Sequence, residues 1–163
     1  MRDSLIVKAL GFPRAFTIRD YHAENLLWLP SRAGVQRVGI LDFQLAQLGQ
    51  SGYDLVSLLQ DARRDVSPEL EAQMLRHYRD ATNAPDDFDH HYALLGAQRN
   101  TKIIGIFTRL WKRDGKGRYL YFLPRMWALL ERDLAHPALA PLKAWFDTNI
   151  PAEARAQFPA EAA

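Results

Sequence analysis

One short stretch constrains this chain more than any other: Ile18-Arg19-Asp20-Tyr21-His22-Ala23-Glu24-Asn25, with a second acidic motif at Leu41-Asp42-Phe43. The first reads R-D-x-x-x-x-N, and the second closes an apolar run. Their surroundings predict short strands. Residues 15–18 form a β-prone run into the loop, and residues 26–29 form an apolar run out of it. Pro30-Ser31-Arg32-Ala33-Gly34 is a turn cluster, and residues 35–41 are a third strand-like run. The loop therefore precedes a hairpin, and the hairpin returns Asp42 towards Asp20.

The residue types suit phosphoryl transfer. That chemistry needs a carboxylate to accept or orient the proton of the attacking hydroxyl. It also needs a second carboxylate and an amide oxygen to hold Mg²⁺ against nucleotide phosphates. Asp20 has the place of the first group, Asp42 of the second and Asn25 of the third. Any one of them alone reads as a turn former or helix cap. The ordered set, each member beside a strand, is the pattern that points to function.

The residues also carry a family resemblance. The runs Arg19-Asp20-Tyr21-His22-Ala23-Glu24-Asn25-Leu26-Leu27-Trp28-Leu29, Gly39-Ile40-Leu41-Asp42-Phe43-Gln44 and Gly52-Tyr53-Asp54-Leu55 resemble the C-terminal lobe of the aminoglycoside phosphotransferase and choline kinase-like family. Within it the chain is most similar to bacterial kinases that phosphorylate N-acetylmuramate or N-acetylglucosamine at the anomeric hydroxyl. Gly96-Ala97-Gln98-Arg99-Asn100 and Arg132-Asp133-Leu134-Ala135-His136-Pro137 are similar to runs of the same group. The resemblance extends from about Phe12 to Pro151. It implies Asp20 as catalytic residue, Asn25 and Asp42 as Mg²⁺ ligands, and ATP as phosphoryl donor. It also implies that Arg19 and Asp54 support the catalytic loop, Asp54 by reaching back to the loop backbone. Two positions depart from the family pattern: Ile18 stands where many kinases have His, and Leu45 where an acidic residue follows Asp-Phe-Gln.

Composition narrows the rest. A chain of 163 residues, 48% hydrophobic and 25% charged, reads as one globular domain. It has no cysteine, so disulfides and cysteine-held zinc are excluded. No stretch has the length and apolarity of a membrane span, and the first residues lack a signal-peptide core, so a cytoplasmic location is expected, without membrane association. The net charge of +2 is small and the basic residues are scattered, so nucleic acid is not an expected partner.

In chain order, residues 1–11 read as a short apolar element. Lys8 is too near Asp20 to be the lysine of a nucleotide lobe, and no glycine-rich loop precedes Asp20. The expectation is a chain that lacks the N-terminal nucleotide lobe, turns over ATP poorly alone and self-associates through the apolar surface so exposed. After Asp42, Asp54 opens a helix with Leu55, Leu58, Leu59 and Ala62 on its apolar face. A helix follows this soon, Gln44 replaces the glycine of D-F-G and no A-P-E occurs, which favours a small-molecule kinase over a protein kinase. Ser67-Pro68 caps a helix to about Ala81 that buries Leu70, Met74 and Tyr78. Asp86 or Asp87 caps a long helix to about Arg113, with Tyr92, Leu95, Arg99, Ile103, Ile106, Phe107 and Leu110 on one stripe. Pro124 starts a helix to Leu134 burying Trp127 and Leu130, residues 141–148 form a last helix, and residues 151–163 form a flexible tail after a lobe of residues 1–150.

Three residues keep two readings each. Arg99 on the apolar stripe either snorkels from its edge or is buried, paired with an acidic group or with substrate. His22 either touches substrate or hydrogen-bonds the loop. Tyr21 is a second possible substrate contact, against a core role. The fold class expected is α+β, the C-terminal lobe of a protein-kinase-like fold, mostly helical with a small β-hairpin layer. The function expected is ATP-dependent phosphorylation of a small-molecule hydroxyl, on an amino sugar. Its rivals are a catalytically incomplete binding module and a metal-dependent phosphohydrolase.

Overall fold

The fold is that of a computed structural model, which describes residue 7 and residues 9–156. Val7, Ala9 and Leu10 are helical, while Lys8 and the rest of the expected first element, residues 1–6, lie outside the described residues. The chain divides into two compact units, Ile6–Ala84 and Pro85–Ala163.

From Arg14 on, the described part of the first unit carries four short strands and two α-helices. Strand β1 (Arg14–Thr17) pairs antiparallel with β4 (Gln47–Gln50), and β2 (Leu26–Trp28) pairs antiparallel with β3 (Val38–Ile40). Strand β4 was not foreseen. Its sequence, Gln-Leu-Gly-Gln, has no β-branched residue and no apolar alternation. It pairs because Gly49 lies opposite Ala15, where a Cβ would approach the Thr17 hydroxyl oxygen to 2.6 Å. The run from 35 to 41 is also shorter as a strand than expected, because Gly34–Arg37 wind into a 3₁₀ turn before β3 begins. Gly34 starts that turn at φ 53°, a conformation open to glycine at little cost.

Helix α1 (Tyr53–Leu59) ends before Ala62; of the expected apolar face Leu59 and Ala62 are buried, with Val56, while Leu55 and Leu58 are only half-buried. Helix α2 (Pro68–Thr82) starts as expected: the Ser67 hydroxyl accepts from the Leu70 amide at 3.2 Å, and Pro68 occupies the first turn, where its missing N–H costs nothing. Its buried residue is Glu71, held by Gln60 at 3.2 Å, while Leu70 is 46% exposed rather than buried.

The second unit is helical. Helix α3 (Phe88–Asp114) packs along α4 (Leu123–Leu134), with a 3₁₀ segment Gly117–Phe122 between them in sequence. Helices α5 (Ala140–Asn149) and α6 (Ala152–Ala156) follow. Helix α3 ends in a left-handed glycine cap: Gly115 sits at φ 65°, its N–H donates to the Trp111 carbonyl, and the Lys116 N–H donates to the Leu110 carbonyl. Phe88, Tyr92, Leu95, Phe107, Leu123, Met126, Leu130 and Phe146 are buried in this unit, while Trp127 is only half-buried. Each large apolar side chain so buried contributes about 1.5–3 kcal/mol.

The two polar runs singled out in the sequence meet here. Asn100 Nδ2 donates to Asp133 Oδ2 at 2.9 Å, and a Cβ on Gly96 would stand 2.4 Å from that same oxygen. Gly96 is therefore required for the close approach of a buried carboxylate to α3. The expected tail overlaps α6, whose Arg155 is tied to Glu131, to Asp147 at 3.1 Å and to the Ile150 carbonyl, with its guanidinium over Trp127. Residues 157–163 lie outside the described residues. No helix among the described residues is long and apolar enough to cross a membrane.

Candidate active site

Five of the residues singled out above, Arg19, Asp20, His22, Asn25 and Asp54, are tied into one local network in the first unit. Asp54, on the first turn of α1, reaches back along the chain. Its Oδ2 accepts from the Ile18 amide at 2.7 Å and its Oδ1 from the Arg19 amide at 2.9 Å. Arg19 is held at φ 75°, in the left-handed region that costs a side-chain-bearing residue about 1–2 kcal/mol. Two charge-assisted bonds offset that cost and aim the next residue, Asp20, out of the loop. Asp54 does not cap its own helix: Gly52 does that position's work, at φ 89° and without a side chain.

The loop then closes on itself. Asn25 Nδ2 donates to the Asp20 carbonyl at 2.9 Å, and the Asn25 backbone N–H donates to the His22 carbonyl at 2.9 Å. Since an amide N–H must face that carbonyl, the Asn25 side-chain oxygen points the other way, and it accepts no hydrogen bond among the described residues. On its far side Asn25 joins the hairpin: its own carbonyl accepts from the Leu41 N–H at 2.9 Å, one step beyond the Leu26–Ile40 pair. Asp42 is the next residue. It too is left-handed, at φ 53°, and Gln44 Nε2 donates to its Oδ1 at 2.5 Å. The Asp20 side chain is 55% exposed, and Asp42 is exposed as well. Left-handed backbone at two non-glycine positions flanking one network is the kind of strain that clusters at functional sites.

The donor set fits a hard cation. An exposed carboxylate and an amide oxygen without a donor are oxygen ligands of the sort Mg²⁺ takes alongside phosphate oxygens. No group of three or more His, Cys, Asp or Glu that could hold a metal occurs among the described residues.

The remaining candidates differ in placement. His22 is buried, with Nε2 3.4 Å from Asp20 Oδ1 and 3.3 Å from Asn25 Nδ2. Tyr21 is half-buried, and its hydroxyl pKa is raised first by burial and then by the charge of Asp54. Arg99 belongs to α3 in the other unit and is 8% exposed, so it does not snorkel from the stripe edge. Leu45 is 62% exposed. One network escaped the sequence: Glu24 inside the loop pairs with Arg63 Nε at 3.1 Å, and Arg63 also holds the buried Asp61 at 3.3 Å. No spacing relates Glu24 to Arg63, so nothing in the sequence signals it.

Residues 3–91 match the phosphotransferase enzyme family. The chain belongs to that family. Its mostly helical body with small antiparallel strand pairs agrees with the C-terminal lobe of the family's kinase-like fold. It is 54% identical over 142 residues to the N-acetylmuramate/N-acetylglucosamine kinase of Caulobacter vibrioides, a match covering 86% of this chain and 39% of the relative. It is 40% identical over 149 residues to a protein of the same name from Pseudomonas aeruginosa, covering 86% and 43%. A third, from Neisseria meningitidis, is 37% identical over 151 residues, covering 87% and 44%. The chain thus spans about two-fifths of the length of the curated relatives it matches.

Proposed function

We propose that this chain carries the acceptor and metal-binding part of a kinase that transfers the γ-phosphoryl of ATP to a hydroxyl of an amino sugar, of the N-acetylmuramate and N-acetylglucosamine class. The observation that carries the reading is the double tie of Asn25, by its amide to Asp20 and by its backbone to the strand that ends at Asp42. In this reading the tie would gather two carboxylates and an amide oxygen at one end of the hairpin. The names of the relatives supply the substrate class.

In this reading Asp20 accepts or orients the proton of the sugar hydroxyl. The hydroxyl oxygen forms a bond to phosphorus as the bond to ADP breaks, and the proton passes towards Asp20. Asn25 Oδ1 and Asp42 would hold Mg²⁺, which when bound would neutralise charge on the phosphates. Arg19 and Asp54 keep the loop in its strained shape. Catalysis of this type is mostly positioning, so a loop fixed by hydrogen bonds is what it requires. In this scheme Tyr21 is taken as a second substrate contact, and Arg99 is assigned a pairing role within α3's surroundings. The lobe is residues 1–150 in this scheme, and the location cytoplasmic.

A second part of the proposal concerns association. Phe16 and Leu48 face each other across β1 and β4, 74% and 66% exposed, and Trp28, Phe43 and Leu45 are exposed nearby in sequence. Apolar surface of that kind marks an interaction face, and here it favours self-association.

The test is phosphoryl transfer to N-acetylglucosamine and N-acetylmuramate, with Mg-ATP titrated by calorimetry. It is run on the chain itself and on the chain joined to the part of the Caulobacter relative that it does not match. The joined protein is expected to phosphorylate at least one sugar, and the chain alone to do so poorly. A joined protein that binds Mg-ATP but phosphorylates neither sugar would sink the reading. Phosphate release without a sugar would favour a phosphohydrolase.

A further inference from the structure

We propose that His22 is a positioning residue for Asp20: its Nε2–H holds one carboxylate oxygen and leaves the other to the acceptor hydroxyl. The inference rests on the role given to Asp20 above.

Hydrogen bonds hold the His22 backbone on both sides. The His22 N–H donates to the Asp20 carbonyl at 3.2 Å, and the His22 carbonyl accepts from the Asn25 N–H at 2.9 Å. The side chain is 8% exposed, so the ring is not presented to a ligand as a free surface group. Its Nε2 stands between two polar neighbours, Asp20 Oδ1 at 3.4 Å and Asn25 Nδ2 at 3.3 Å. Its Nδ1 is buried and has no hydrogen-bond partner among the described residues.

That unpartnered nitrogen decides the tautomer. With the proton on Nδ1, an N–H would be buried with no acceptor, and the Nε2 lone pair would face the Asp20 carboxylate. With the proton on Nε2, an N–H faces the carboxylate and only a lone pair is left dry. Orphaned buried N–H groups are rarer and costlier than under-used acceptors, so the second arrangement holds. One of the two Asn25 amide hydrogens is already taken by the Asp20 carbonyl.

The consequence reaches the reacting atoms. Asp20 Oδ2 has no partner among the described residues, while Oδ1 faces His22. The 3.4 Å contact is long, and hydrogen bonds at such sites commonly shorten once substrate is in place. A carboxylate free to rotate would offer either oxygen at random. One pinned at Oδ1 presents Oδ2 with a fixed lone-pair direction, which is the orientation that phosphoryl transfer by positioning depends on.

Two measurements test this. The first uses the chain as it stands and needs no turnover: ¹⁵N spectra of the His22 ring should report the Nε2–H tautomer, and Asp20→Asn should shift the Nε2 signal. An Nδ1–H tautomer, or an Nε2 signal blind to Asp20→Asn, would overturn the proposal. The second is kinetic, in the joined protein described above. His22→Phe keeps the packing and removes the donor, and should lower kcat by about 10-fold to 10²-fold with the sugar KM little changed. His22→Gln can place an N–H near the Nε2 position and should recover most of the loss. His22→Asn reaches only the Nδ1 position and should not. Equal activity of the Phe and Gln variants would show that the ring only fills space. If the unsubstituted joined protein phosphorylates no sugar while the Asp20-sensitive Nε2–H is seen, the assigned function fails and the His22–Asp20 pairing stands.

Discussion

Replacing Asp54 by alanine should unlatch the loop, and the cost can be worked from the geometry. Two backbone N–H groups lose a carboxylate, that of Ile18 at 2.7 Å and part-buried, and that of Arg19 at 2.9 Å and exposed. A hydrogen bond to a charged group contributes about 1.5–3 kcal/mol. The Ile18 bond deserves that range in full, since its N–H would be left with poor access to water. The Arg19 N–H is solvated once released, so its share is smaller. The sum is a loss of about 2–4 kcal/mol. A rival account treats Asp54 only as an acid near a helix N-terminus, which would cost about 0.3–1 kcal/mol. Urea unfolding followed by tryptophan fluorescence, with Trp28 in this unit as reporter, separates the two. Amide exchange locates the effect: the Ile18 and Arg19 N–H groups should be protected in the unsubstituted chain and fast in Asp54→Ala. Asp54→Asn should fall between, since one amide oxygen can serve only one of the two donors. A loss below about 0.5 kcal/mol, or unchanged exchange at Ile18, would refute the latch and leave the dipole account.

Gly96→Ala should destabilise by about 1–3 kcal/mol or more by overpacking, because its Cβ would meet Asp133 at 2.4 Å and displace the carboxylate from Asn100; thermal unfolding followed by circular dichroism gives the value, and a neutral result would show that α3 and α4 can separate freely. The Tyr21 pKa is raised above the ordinary 10.0 by burial and then by Asp54, so above about pH 10 the unfolded chain loses its proton first and stability falls as pH rises. Tyr21→Phe should flatten that alkaline decline in urea titrations at pH 9 to 11, and an unchanged slope would exclude the residue. Self-association through the β1–β4 face should give concentration-dependent sedimentation that Phe16→Lys with Leu48→Lys abolishes; a chain that is monomeric at every concentration would remove that role.

Local chemistry made part of this protein readable in one dimension. The loop from Arg19 to Asn25 must turn within a few residues, and Asp20, Asn25 and Asp42 could be picked out because their order and flanking strands are short-range features. Ser67-Pro68 announced α2, since caps are decided by one or two neighbouring residues. Strand β4 could not be read that way. Gln47–Gln50 has no strand signature, and it is a strand because β1 supplies its hydrogen bonds and Gly49 makes room for Thr17. The same holds for the ion pair of Glu24 with Arg63, and for the burial of Glu71 where Leu70 was expected. Asp133 against Gly96 and the unpartnered nitrogen of His22 belong here as well: each depends on which distant backbone comes near. Contacts between residues far apart in the chain leave no periodicity behind, so the sequence could name the candidate groups, and only the tertiary structure decided how they are held.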